Sequence, residues 1–314
     1  MRHGKILMTG ITALALCMGV ASNSRAGSYA YAEQTLTGLS VSLTGGTLAA
    51  GTVNYGSSDA SSLTALDGTS TSSANSALPP GTDPAQAYVG SPAPPPQNTF
   101  SQFATFSSAP PQPSGDVPLT PNSGFARGDA LITPGSGLFS TSGVTTSNVA
   151  ETFMTGATHA AGSGTGSWAI TANFTVSGAA TTGATLSYST GYSNYLFASI
   201  FSSTDGLPGI SAHANYALDF TLKNSAGLLI GEVTPGALNH SDGTPPNTVG
   251  LLLSGTDSGQ IHAGLVDGSY SLTITGTEIV QAATAVPEPS SLILMCLGGG
   301  AGLVVLTAKR RRKS

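Results

Sequence analysis

The chain has 314 residues, of which only 8% are charged, with 41 glycines, 19 prolines and two cysteines. Its formal charge of −5 hides an asymmetry: eight of the 10 Lys and Arg sit at the two ends, while all 15 Asp and Glu lie between Glu33 and Glu288. The middle thus carries 15 negative charges against Arg127 and Lys223, a net of −13, which excludes nucleic acid as a partner because that needs a basic surface.

Residues 1–26 have the form of a secretory signal peptide with a helical core. Arg2 and Lys5 open it, Ile6 to Val20 is mostly apolar, and Ser24 and Ala26 supply the small residues for cleavage after Ala26. Cys17 lies here and Cys296 lies near the other end, so the middle has no disulfide, thiol nucleophile or cysteine metal site.

Residues 27–77 are rich in Ser, Thr, Gly and Ala. Leu39, Val41 and Leu43 alternate with Ser40 and Ser42, which predicts a strand. The rest of this segment reads equally as short strands or loop. Residues 78–122 hold twelve of the 19 prolines. That density rules out a regular helix or a central strand and predicts a polyproline-II-like linker or long loop. Phe100, Phe103 and Phe106 lie inside it, placed to dock it on the main domain or to meet a partner. Arg127-Gly128-Asp129 matches a cell-adhesion tripeptide. A turn with a local Arg–Asp contact is sufficient explanation for it.

Across residues 123–284 the strand signal is clear. Trp168, Ile170, Ala172, Phe174 and Val176 alternate with Ala169, Thr171, Asn173, Thr175 and Ser177. Tyr195, Phe197 and Phe201 mark another strand. Tyr216, Leu218, Phe220 and Leu222 mark a third, and further short apolar runs follow to Ile274. Asp205-Gly206, Asn224, Asp242-Gly243, Asp257-Ser258-Gly259 and Asp267-Gly268 read as the turns between them. Asp267-Gly268 has the form of a two-residue hairpin turn. The expected fold is mainly β, an antiparallel β-sandwich or jelly-roll-like domain.

Residues 285–314 form a tripartite end. Val286, Pro287, Glu288 and Pro289 make a short extended tag, since proline disfavours helix at itself and just before. Ser290 to Ala308 is uncharged and, as a helix, spans roughly 28 Å, the thickness of a bilayer core. Lys309, Arg310, Arg311, Arg312 and Lys313 then form a basic stop that stays on the cytoplasmic side. Tag, span and basic cluster, in this order at the end of the chain, resemble the PEP-CTERM sorting signal of Gram-negative bacteria. The resemblance implies handling by an exosortase-type membrane enzyme and association with bacteria that make extracellular polysaccharide.

The middle shows little catalytic patterning. His159, His213, His240 and His262 have no metal-ligand spacing, and there is no HExxH. Gly191-Tyr192-Ser193-Asn194-Tyr195 fails the GxSxG elbow at its last position, and Gly255 to Gly259 reads as a hairpin turn. Glu151, Asp219, Glu232 and Glu278 are candidates for a glycosidase carboxylate pair, but nothing selects two of them. Among possible sugar-stacking rings, Trp168 and Tyr216 read as core and Tyr192 and Tyr195 as surface.

The expectation is an exported, non-enzymatic protein without cofactor or metal. It starts as an inner-membrane precursor held by its C-terminal helix and ends at the cell surface or in the extracellular matrix, associated with exopolysaccharide. The alternatives are a carbohydrate-binding module or a secreted glycoside hydrolase.

Overall fold

The computed structural model describes residues 26–64, 70–77, 85–89, 106–108, 111–113, 124–156, 160–202, 211–243 and 251–284. The expected signal helix up to residue 25, the sorting tag, the span and the basic stop lie outside them. Ala26, at the expected cleavage point, is the first residue of the first strand. Among the described residues no helix is long and apolar enough to cross a membrane, a statement that does not bear on membrane-crossing strands.

The described chain is almost all strand. In order these are β1 (Ala26–Thr44), β2 (Thr47–Thr64), β3 (Ser70–Ala77), β4 (Ala85–Val89), β5 (Phe106–Ser108), β6 (Pro111–Pro113), β7 (Gly124–Thr133) and β8 (Val144–Gly156). They continue as β9 (Ala160–Ser177), β10 (Ala184–Ser202), β11 (Ser211–Asn224), β12 (Leu229–Val233), β13 (His240–Gly243), β14 (Leu251–Leu265) and β15 (Gly268–Thr284). The first sheet has the order β14-β10-β1-β8-β7-β4. The second runs β12-β11-β15-β9-β2-β3, with β13 also on β11, and β5 and β6 pair alone. The ladders are antiparallel.

The segment that read as strands or loop supplies two long strands, each between two partners. β1 lies between β10 and β8, and β2 lies between β9 and β3. Within the Pro-rich stretch, β4 pairs with β7 at the sheet edge.

The two sheets pack face to face, and their shared core has two halves. In one half Leu36, Val41 and Leu186 of the first sheet meet Trp168, Ile170, Phe220 and Ile274 of the second. The alternation on β9 and β11 places one apolar side chain inward every second residue, as a half-buried strand requires. The other half is built of small residues, among them Ala30, Ala32, Ala150, Ala198, Ala212 and Ala214. Here the sheets come within touching distance of backbone. A Cβ on Gly128 of β7 would overlap the Thr165 carbonyl of β9, and one on Gly164 would overlap the Arg127 carbonyl. Only glycine permits that approach.

Four stretches expected as turns are placed otherwise, and of these Asp242-Gly243 lies in β13, paired with Ala214 and His213 of β11. The Asp267-Gly268 pair does not join a hairpin: β14 pairs with β10 in the first sheet, while β15 lies between β9 and β11 in the second. The chain crosses between sheets there because Leu265 and Tyr270 both enter the core. The Asp267 carboxylate accepts the Ala179 N–H at 2.8 Å, and Tyr270 donates to the Val266 carbonyl at 2.8 Å, which holds the crossing. Gly255 to Gly259 lies inside β14 instead of bending it. Its Asp257 accepts the Tyr188 hydroxyl at 2.8 Å, and bare Gly259 leaves room for that ring. Arg127-Gly128-Asp129 is the middle of β7, with Arg127 directed to Glu151 across the ladder.

Candidate functional site

The side of the first sheet turned away from the second carries the densest chemistry among the described residues. Register builds it in rows. Tyr29 of β1 stands opposite Phe153 of β8, which stands opposite Phe125 of β7. One row along, Phe197, Tyr31, Glu151 and Arg127 line up across β10, β1, β8 and β7. The next row holds Tyr195, Glu33, Val149 and Asp129. Small residues alternate with these along each strand and point inward, as Ala30 and Ala32 do on β1. The close approach of the sheets thus takes the small side chains and sends the large ones outward.

Glu151 is the hub. Its Oε2 receives the Arg127 Nη2 at 2.7 Å and the Arg127 Nε at 2.8 Å. Its Oε1 receives the Tyr29 hydroxyl at 2.6 Å. Arg127 is 1% exposed and Glu151 fully buried. Two ions removed from water are tolerable only with such complete pairing. Beside them Tyr31 donates to Glu33 Oε2 at 2.7 Å. Burial pushes the Glu33 carboxyl up, against the Tyr31 hydrogen bond and the Arg127 charge. Burial, reinforced by the Glu33 charge, pushes the Tyr31 hydroxyl far up, so it remains a donor. The rings pack on one another: Tyr29 and Phe197 lie 5.7 Å apart, Tyr31 and Tyr195 5.7 Å, and Phe125 and Phe153 are stacked at 6.0 Å.

A second polar group lies between the sheets. Glu278 of β15 and Asp59 of β2 flank Gly166 of β9 across the ladder. Burial pushes the Glu278 carboxyl well up, and the Glu33 and Asp59 charges add to it. Burial and the Asp129 charge push Asp59 up to about 7, although the Ser167 and Ala130 N–H groups bond it. Among the described residues both Glu278 oxygens lack a hydrogen-bond partner, as do Asn148 Oδ1 and Gln34 Oε1 on the facing sheet. Buried Ser57, Ser61, Thr146 and Asn194 add further polar side chains on the two sheets.

The residues anticipated from sequence scatter over this frame. Glu151 is in the outer cluster and Glu278 between the sheets. Asp219 and Glu232 lie on β11 and β12, where Asp219 accepts the Thr234 hydroxyl at 2.6 Å. The four therefore do not converge on one cleft. Trp168 and Tyr216 are core, as expected. Tyr192 and Tyr195 do not share a surface: Tyr192 packs against the main core and Tyr195 joins the outer rings. The Gly-Tyr-Ser-Asn stretch is mid-strand, within β10. His159 lies outside the described residues, and among those described no group of His, Cys, Asp and Glu is placed to hold a metal. An open hollow of about 440 Å³ lined by Gly51, Asn173, Thr175, Lys223 and Ser271 has no carboxylate in its wall.

Sequence reasoning overlooked Tyr29, Tyr31, Glu33 and the partnership of Arg127 with Glu151. The signal was present in Tyr29-Ala30-Tyr31-Ala32-Glu33 and in Phe125-Ala126-Arg127-Gly128-Asp129. Both stretches alternate large with small. Reading the large set as outward needs knowledge of how closely the sheets approach.

The comparisons bear on the end of the chain. Residues 285–313 match the family model of the PEP-CTERM protein-sorting motif. The chain is a PEP-CTERM domain-containing protein. No curated protein and no solved structure matches it. The PEP-CTERM motif implies export and sorting to the cell envelope through an exosortase.

Proposed function

We propose that this PEP-CTERM protein is a non-enzymatic structural or adhesive component of the cell surface or polysaccharide matrix, with the two-sheet domain as its cargo. The observation that carries the reading is the sorting motif at residues 285–313. The hydroxyl-rich face of the second sheet supports it. Ser62 and Ser163 share a hydrogen bond at 2.9 Å there, and Ser167 donates to the Ser58 carbonyl at 2.6 Å. Such a face is solvated by hydroxyls and suits a hydrated sugar matrix. In this reading the precursor is held in the inner membrane by residues 290–308, with the basic stop inside, until the exosortase acts at Val286 to Pro289.

The test is cell fractionation in the native host, with the mature C-terminus determined by mass spectrometry. The wild type is expected to lose its span and reach the surface or medium. A variant with Val286, Pro287, Glu288 and Pro289 replaced by alanine is expected to stay in the inner membrane. Retention of the span by both overturns the surface assignment.

A second reading, a carbohydrate-binding module, has less support, because Tyr29, Tyr31, Phe125 and Phe153 on the outer face of the first sheet are buried. It predicts that purified cargo is retained on the host's exopolysaccharide and that Tyr195→Ala weakens the retention. A glycoside hydrolase has less support, because Glu151 is committed to Arg127 and Tyr29.

A further inference from the structure

The open hollow on the outer face of the second sheet holds a charge that the rest of the domain lacks. Between the two ends of the chain the only basic side chains are Arg127 and Lys223. Arg127 is buried against Glu151. Lys223 is exposed, lines the hollow and has no ion pair among the described residues.

Register builds the floor. Lys223 of β11 stands opposite Ser271 of β15, which stands opposite Asn173 of β9. The next row holds Ser269 and Thr175. All five point outward, because their chain neighbours Leu222, Tyr270, Leu272 and Phe174 enter the core. Both walls are fixed by backbone. On one side β2 slips register between Ala50 and Val53, and a Cβ on Gly51 would come within 2.8 Å of the Asn173 carbonyl oxygen. On the other, Asn224 Oδ1 accepts the Ala226 and Leu228 N–H groups, each at 3.0 Å, and so holds the turn between β11 and β12. The hollow crosses four strands, roughly 14 Å. Its volume of about 440 Å³ is that of a ligand site.

These side chains select a ligand class. Ser, Thr and Asn each donate and accept hydrogen bonds, as sugar hydroxyls do. One ammonium among four neutral polar groups matches a ligand with sparse negative charge, whereas a nucleic acid calls for many cations. Tyr270 and Phe174 beneath the floor are buried, so contact is by hydrogen bonds and not by ring stacking. Elsewhere the excess of acidic side chains repels a polyanion, but the hollow has no carboxylate in its wall. Position agrees. From Ser271 to Thr284, where the chain leads into the sorting motif, β15 runs about 43 Å. The hollow is thus presented far from the end that an exosortase handles.

We propose that this hollow is a contact subsite for an acidic polysaccharide, with the Lys223 ammonium on a sugar carboxylate and Asn173, Thr175, Ser269 and Ser271 on neighbouring sugar hydroxyls. The proposal deepens the matrix reading given above and rests on it. The sugar is held by the second sheet, not by the rings of the first.

Site-resolved lysine acetylation of the full chain in detergent tests this, with trigalacturonate as the probe. The reaction is read peptide by peptide, so that Lys309 and Lys313 in the basic cluster are scored apart from Lys223. Trigalacturonate is expected to slow Lys223 acetylation severalfold and saturably, whereas its uncharged methyl ester does not. Asn173→Ala with Ser271→Ala should weaken that protection severalfold while Lys223 stays in place. Lys223 reactivity unchanged by the probe overturns the proposal. So does equal protection by sulfate at the same charge concentration, or protection that survives the double variant, since either leaves Lys223 an ordinary surface charge. Galacturonate monomer that protects as well as the trimer overturns the polymer in favour of a free sugar acid. The fractionation described above keeps the two readings apart. A chain that reaches the surface without protection of Lys223 sinks only this subsite, and one that keeps its span in the inner membrane sinks the matrix reading.

Discussion

The two sheets of this protein turn different chemistry away from their common core. The first shows Tyr29, Tyr31, Phe125 and Phe153 around an Arg127–Glu151 pair, all buried. The second shows exposed Ser58 and Ser62, and Asn173 and Thr175 next to the open hollow. On the first sheet the difference follows from the interior: where Gly128 and Gly164 let the sheets touch, there is no room for large residues inside, and the rings stand outside. The second sheet does not do the same, since beside Gly164 its outward positions are Ser62 and Ser163. Stability is then distributed unevenly: one outer face holds a buried ion pair and the other almost nothing.

Breaking the ion pair should show that contrast most strongly. Glu151→Ala leaves Arg127 buried without its counter-charge and is expected to cost about 3–5 kcal/mol in urea unfolding. The double variant Arg127→Met, Glu151→Leu should recover most of that loss. A double as damaged as the single would mean that packing, not charge, limits the site.

The next largest effect tests the thin interior. Gly128→Ala places a methyl on the Thr165 carbonyl, backbone against backbone. A loss of about 3 kcal/mol is expected, at the upper end for overpacking. An unchanged melting temperature would show that the sheets separate more easily than the register implies.

The buried carboxyls give a pH signature. The Asp59 carboxyl is pushed up to about 7, so the fold favours its protonated form. That stability is full below pH about 4, where the unfolded chain is protonated too, and is lost as pH rises through 7. Between pH 5 and 8 the wild type should lose roughly 2–3 kcal/mol through this group, as an upper bound. Glu278, also pushed up, acts in the same direction. Asp59→Asn with Glu278→Gln should flatten the profile, measured by denaturation at the two pH values. A profile that steepens in the double variant would contradict the buried polar layer.

The smallest effect is expected on the second sheet's outer face. Ser62→Ala removes an exposed hydroxyl bonded to Ser163 and should change stability by no more than about 0.5 kcal/mol. A loss several times larger would mean that this face is also covered.

Much of the strand content was legible. The alternation from Trp168 to Val176 and from Tyr216 to Leu222 needs only period two and a water-free side. The PEP-CTERM motif at residues 285–313 was legible too, because a sorting enzyme reads a linear string. The polar breaks were legible as composition but not as geometry. Asp267-Gly268 marks a change of direction, yet whether the next strand stays in the sheet depends on where Leu265 and Tyr270 find a core. Asp257 to Gly259 looked like a break and is mid-strand, because Gly259 serves the Tyr188 ring.

The chain alone thus determined its mainly β character and its sorting address, since both arise from neighbours along the backbone. Only the tertiary structure decided which partners meet. Arg127 and Glu151 are 24 residues apart in sequence and 2.7 Å apart in space. Asp59 and Glu278 come from opposite ends of the described chain to flank Gly166. Register across long antiparallel ladders sets both pairs, and register depends on every packed row at once. Which of two alternating faces looks inward was decided in the same way, by how near the other sheet could come.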